Sequence, residues 1–201
     1  FKEIYLKTNL VNYYEKFEEN YQTDDFKIFN VGDTNSYNKL RNYFSNHKVK
    51  SLYINFTGDY DFDLHPVFDR AMAIVFNSNG YKVKFNRMTI ESPSTMTFIG
   101  FDFDNLMVNI KGSVTYINCK FHNNKQGEDY FFSNEGSCTL FNCEFYDNEG
   151  DDSIIYNKGS LTIYDSSFRN NEFDNYSGFD YGRFRVFIDS CLLLFNKEKL
   201  N

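Results

Sequence analysis

The chain has no tryptophan, 2 prolines, 4 cysteines and 3 histidines in 201 residues. Four cysteines are too few for a disulfide scaffold of this length, and none of them form a CxxC pair. With only His47, His65 and His122 to add imidazole, the spacing gives no reason to expect a structural zinc site. No long apolar run exists either. The longest, Ala71–Phe76 and Cys191–Phe195, fall far short of the roughly 20 residues that a spanning helix needs, so no direct membrane insertion is expected of this segment. Basic residues are in the minority, 21 Lys plus Arg against 28 Asp plus Glu, for a net charge of −7. Nucleic acid as a partner loses its main source of affinity, the release of counterions by a cationic surface. The chain opens at Phe1 without a basic region followed by an apolar one, which reads as a removed leader or an excised piece.

What is abundant is equally informative. Phe and Tyr number 24 and 16, a 20% aromatic share, and there are 26 Asn. Aromatics favour pleated surfaces and Asn tolerates positive φ at corners, so the composition asks for many strands and many turns. A helical bundle is excluded. The length suits one domain with a substantial core.

An internal repeat organises the second half. Residues 111–124 read KGSVTYINCKFHNN, 135–148 read EGSCTLFNCEFYDN and 158–171 read KGSLTIYDSSFRNN. Stacked, they align Gly112/Gly136/Gly159, Val114/Cys138/Leu161, Cys119/Cys143/Ser166 and Phe121/Phe145/Phe168. A fainter copy places Asp189, Ser190 and Leu192 under Asp165, Ser166 and Phe168, and Met96, Phe98, Phe101 and Phe103 fall under Val114, Tyr116, Cys119 and Phe121 upstream. Apolar residues alternate within each copy, so the unit is built of strands. About 24 residues of short strands and Asn/Gly corners is the size of one coil of a parallel β-solenoid, with coils stacked at roughly 4.8 Å. Equivalent residues then form ladders: Phe121/Phe145/Phe168 inside, Cys119/Cys143/Ser166 as a small-residue slot of reduced thiols, and Asn124/Asn148/Asn171 at a corner in left-handed geometry with amide-to-amide bonds.

The run SYNKLRNYFSNHKVKSLYINFTGDYDFD (36–63), then AMAIVFNSNGYKVKFNRMTIES (71–92) and the three copies resemble the adhesin-like surface proteins of methanogenic archaea, whose repeats are similar to those of chlamydial polymorphic outer-membrane proteins. IIYNKGSLTIYDSSFRNN (154–171) carries the likeness best, while Glu128-Asp129-Tyr130 and Asp151-Asp152-Ser153 replace the family's small-residue lead-in. The resemblance implies an all-β, single-stranded right-handed parallel β-helix, placed outside the cell or on its surface. It further implies glycans or surface proteins as partners.

The expected division is an N-terminal segment over 1–35, helical and packed on the cap, with Val11, Tyr14, Phe17 and Tyr21 as its stripe. A cap helix and first strand follow over 36–70, and β-helix coils over 71–201. Ser36 serves as N-cap, and Tyr37, Leu40 and Phe44 make the apolar stripe that closes the end of the core.

Chemistry is sought on the outward columns. Lys120 and Glu144 share one column, and His122, Tyr146 and Arg169 share the next. These five are the binding candidates. A polysaccharide lyase would have to use His122, Tyr146 and Arg169 as neutraliser and base, and the paired acids of a glycoside hydrolase are not visible in the columns. The expectation is therefore a non-catalytic recognition or spacer module without a cofactor, with a carbohydrate-active enzyme as the rival. Asp59, Asp61 and Asp63 alternate and suit Ca²⁺ weakly, lacking the Gly and bidentate Glu of an EF-hand; a solvated acidic edge is the simpler expectation. Glu149, Asp151 and Asp152 read the same way. Cys191 falls in the outward column as the exposed thiol, and two Asn-x-Ser/Thr sequons begin at Asn55 and Asn175.

Overall fold

The computed structural model describes residues 26–46, 51–61, 73–85, 87–91, 94–126, 131–150, 154–173, 179–181, 186–189 and 192–195. The polypeptide winds past three faces in turn, and strands on each face pair in parallel with those of the turns above and below. The first face stacks Phe26–Val31, Ser51–Phe56, Ala73–Asn77, Thr95–Ile99, Ser113–Ile117, Ser137–Phe141, Ser160–Tyr164 and Val186–Asp189. The second stacks Asp102–Asp104, Lys120–His122, Glu144–Tyr146, Ser167–Phe173 and Leu192–Phe195, and the third runs from Arg87–Ile90 to Phe179–Tyr181 in five strands. The result is a parallel β-solenoid of about five turns.

Alternation along each strand decides what lies inside. In Ser113–Ile117, Val114 and Tyr116 are buried, as are Cys138 and Leu140, and Leu161 and Ile163, on the next two turns. The register pairs Val114 with Cys138 and Cys138 with Leu161, so each inward position continues as a column. On the second face Phe103, Phe121, Phe145 and Phe168 stack inside the core, the last three with ring centroids 4.5 and 4.7 Å apart at interplanar angles of 13°. Removing each such side chain from water is worth about 1.5–3 kcal/mol, before any gain from ring geometry. Gly112, Gly136 and Gly159 form a column because there is no room for a side chain: a Cβ on Gly136 would overlap the carbonyl oxygen of Gly112, and one on Gly159 that of Gly136.

Corners are set by Asn and Asp in left-handed geometry. Asn118, Asn142 and Asp165 have φ near +50° between the first and second faces, and Asn123, Asp147 and Asn170 do the same one strand later. The left-handed residue is thus the one before Asn124, Asn148 and Asn171, which are themselves buried. The expected amide ladder does form. Asn124 Nδ2 donates to Asn148 Oδ1 and Asn148 Nδ2 to Asn171 Oδ1, both at 2.7 Å, while the Asn148 and Asn171 amides also donate to the carbonyls of Phe121 and Phe145. The correction is physical: a corner needs one residue to reverse the chain and a second to satisfy the buried backbone groups behind it.

The first two rungs of the solenoid lie earlier than expected. Residues 26–31 form a strand, not part of an N-terminal helix, and this strand and Ser51–Phe56 belong to the same sheet as the repeats. The steps from Phe26 to Ser51 and from Ser51 to Ala73, 25 and 22 residues, are close to a full coil. Residues 1–25, with the Val11/Tyr14/Phe17/Tyr21 stripe, lie outside the described residues. The helix Thr34–Asn46 is inserted between the first and second rungs. Its cap is Asp33, whose Oδ1 accepts from the Ser36 amide at 2.7 Å, while Ser36 Oγ accepts from the amides of Gly32 and Asp33. Ser36 is therefore the reciprocal partner of the cap and not the cap itself. Leu40 is buried, and Tyr37 and Tyr43 pack against Tyr60 and Phe29, so the helix packs on the first two of the described rungs. At the other end Leu192 pairs with Ser167 and Leu193 with Phe168, one residue on from the expected alignment. That shift removes the register by which Cys191 was placed outward; Cys191 itself lies outside the described residues.

Candidate functional site

The outward columns of the second face hold the side chains that sequence reasoning singled out. Lys120 pairs in register with Glu144 and Glu144 with Ser167, while His122 pairs with Tyr146 and Tyr146 with Arg169. One turn earlier the same columns carry Asp102 and Asp104. These two aspartates were not among the candidates. Their signal is present in FDFDN (101–105) stacked on CKFHN (119–123), an alignment carried only as far as the inward Phe101 and Phe103.

His122 and Tyr146 stack with ring centroids 4.8 Å apart and planes 10° from parallel. The Arg169 guanidinium carbon lies 4.4 Å from the other side of the Tyr146 ring, and its Nη2 is 3.5 Å from Glu144 Oε2. His122 Nε2 is 2.5 Å from Asp102 Oδ1, and its Nδ1 is 2.9 Å from the Asn123 amide, which also donates to Asp104. His122, Tyr146 and Arg169, with Asp102 and Glu144 of the adjacent column, thus form one continuous chain of contacts: carboxylate, imidazole, phenol ring, guanidinium, carboxylate. Both faces of the Tyr146 ring are covered. Partial burial, followed by the charges of Asp102 and Glu144, holds the Tyr146 phenol above its ordinary range against the opposing pull of Arg169. The phenol is therefore a proton-bearing group at neutral pH, opposite to what a general base requires.

The sequence matches no family model and no characterised protein, and the fold matches no solved structure. Function must be read from the chain's own geometry.

The remaining candidates are distributed around the solenoid. Cys119 and Cys143 are buried free thiols whose sulfurs donate to carbonyls at 3.4–3.5 Å, and Ser166 continues the column, its Oγ donating to the Tyr164 carbonyl and accepting from the Cys143 amide. Burial, with the neighbouring Cys143 second, drives the Cys119 thiol well above its usual range; burial does the same for Cys138. These are packing groups, not nucleophiles. Asp59 accepts from the Lys82 amide at 2.8 Å and so ties one turn to the next; Asp61 is exposed on the strand Tyr60–Asp61, and Asp63 lies outside the described residues. No group of three His, Cys, Asp or Glu able to hold a metal occurs among the described residues. Glu149 forms an ion pair with Lys125 at 3.6 Å, while Asp151, Asp152 and Asn175 lie outside the described residues. Asn55 is engaged at both ends, donating to Asn30 and accepting from Asn79, so its sequon nitrogen is part of an amide ladder.

Proposed function

We propose that the chain is a non-catalytic, adhesin-like module of the cell surface, binding glycans or surface proteins or holding them at a distance. One observation carries this reading. The column best suited to chemistry, His122/Tyr146/Arg169, is held by its own neighbours from Asp102 to Glu144, with Tyr146 enclosed on both ring faces and kept protonated. A lyase would need its arginine aimed at substrate and its base able to lose a proton. Here the guanidinium is directed along the column. What such a surface offers is a row of hydrogen-bonding edges and exposed carboxylates at a fixed spacing of about 4.8 Å, which suits an extended partner over a small molecule. The likeness of the repeats to surface adhesins, read from the sequence, supports placement outside the cell.

The test pairs a panel of neutral and acidic polysaccharides with assays for new reducing ends and unsaturated products. Wild type and Arg169→Ala are expected to be indistinguishable, with no product from either. Product released by the wild type and lost in Arg169→Ala would contradict the proposal.

A further inference from the structure

A solenoid hides its strand edges inside the stack, except at the ends. The first described rung of the eight-stranded face, Phe26–Val31, pairs with Ser51–Phe56 on one side and with no strand among the described residues on the other. The Thr57 amide donates to the Val31 carbonyl at 2.9 Å, so Val31, and by alternation Phe29 and Lys27, turn their backbone N–H and C=O groups toward that neighbour. The alternate groups, those of Ile28 and Asn30, face the open side, where they have no partner among the described residues. Two side chains add to this edge. Ile28 is 60% exposed, more than Tyr81 at 43%, the other exposed large hydrophobic residue among those described. Asn30 ends an amide ladder: Asn79 donates to Asn55 and Asn55 to Asn30, whose own Nδ2 has no acceptor among the described residues. The usual devices that blunt an edge are missing. The strand has no proline and no bulge, and its one charge, Lys27, sits over the Tyr43 ring at 4.3 Å.

We infer that the open edge of Phe26–Val31 is a strand-addition site, and that its partner is an extended segment of another protein. The free N–H and C=O groups of Ile28 and Asn30 repeat every second residue, the period of a peptide strand, which the hydroxyls of a glycan do not reproduce. The columns specify the segment further. It carries an apolar residue over Ile28, an amide or carboxylate oxygen over Asn30 to accept from Nδ2, and no cation over Lys27. The chain's own opening residues do not meet these terms: the 25-residue step from Phe26 to Ser51, taken once more upstream, sets Lys2 over Lys27, Glu3 over Ile28 and Tyr5 over Asn30. An edge of six residues is about 20 Å long, so the pairing is short and reversible. The inference rests on the adhesin-like reading and selects surface proteins over glycans as partners at this end of the solenoid.

Amide hydrogen exchange of the full chain tests this, with the capped peptide SLYINF bearing an Asp-Asp tail as probe. That is the sequence of the rung already paired with the other side of Phe26–Val31, and in the same register it brings Tyr over Ile28 and Asn over Asn30. In the chain alone the amides of Lys27, Phe29 and Val31 are expected to be protected and those of Ile28 and Asn30 not. Saturating peptide slows exchange at Ile28 and Asn30 by about tenfold or more. SLYPNF, which lacks the N–H that faces the edge, does not. Ile28→Lys removes the peptide's effect without changing the melting temperature, because the side chain is exposed, while Tyr81→Lys leaves the effect intact. Protection of Ile28 and Asn30 in the chain alone would overturn the inference, since the edge is then already filled. So would no slowing by SLYINF, equal slowing by SLYPNF or by the polysaccharides, or an undiminished effect in Ile28→Lys. Failure of the peptide overturns strand addition alone, whereas product in the polysaccharide assay overturns the module reading.

Discussion

Phe145 and Tyr146 are adjacent, lie on the same strand and belong to columns of identical pitch, yet their columns are built on different rules. Inside, Phe103, Phe121, Phe145 and Phe168 repeat one residue type, because the space between turns has the same shape each time and water is excluded from it. Outside, Asp104, His122, Tyr146 and Arg169 are four different residues, joined by the Asn123 side-chain amide between Asp104 and His122, by ring stacking and by cation–π contact. The inner ladder is selected for volume and the outer one for complementarity between neighbours. On this strand the buried column keeps one residue type from coil to coil and the exposed column does not.

The comparison can be broken hardest at the glycine column. Gly136→Ala puts a methyl group into the Gly112 carbonyl oxygen, where backbone faces backbone and neither can retreat. A cost of at least about 3 kcal/mol is expected, read as loss of soluble folded protein or of a cooperative melt. Next comes the buried amide ladder. Asn148→Ala removes the acceptor of the Asn124 side chain and the donor to Asn171 and Phe121, taking a hydrogen bond from buried groups on the turns to either side. Urea unfolding should show a loss of about 2–3 kcal/mol. A smaller, progressive effect comes from pH. Cys119, Cys138 and Tyr116 are buried, and desolvation weakens them as acids, so their folded pKa values exceed the unfolded ones. Stability from these groups is fully present below the unfolded thiol value of about 8.5 and falls as pH rises above it. A melting temperature that stays level from neutrality to well above that value would contradict the buried, neutral thiols.

How much of this was legible beforehand depended on regularity. The three copies differ by steps of 24 and 23 residues, so the inward Phe, the thiol slot and the glycine column could be aligned by eye, and the observed register agrees with them. Where the step departs from that length, the reading faltered. The strand at 26–31 was hidden by the helix inserted after it, and Leu193, not Leu192, continues the phenylalanine column because the last step is 25. Corner chemistry was found one residue away from its true place, since Asn serves both as left-handed residue at 123 and as buried amide at 124. The outer stack was only partly visible. The sequence names His122, Tyr146 and Arg169, but that Tyr146 is sandwiched between the other two depends on rotamers that no spacing encodes.

The most direct test of the inside-versus-outside distinction is urea unfolding of Phe145→Ala beside Tyr146→Ala. The account predicts a loss of about 3–5 kcal/mol for the first, from a cavity in a packed column, and about 1 kcal/mol or less for the second, from a partly exposed stack. Equal losses, or the larger loss at Tyr146, would contradict it.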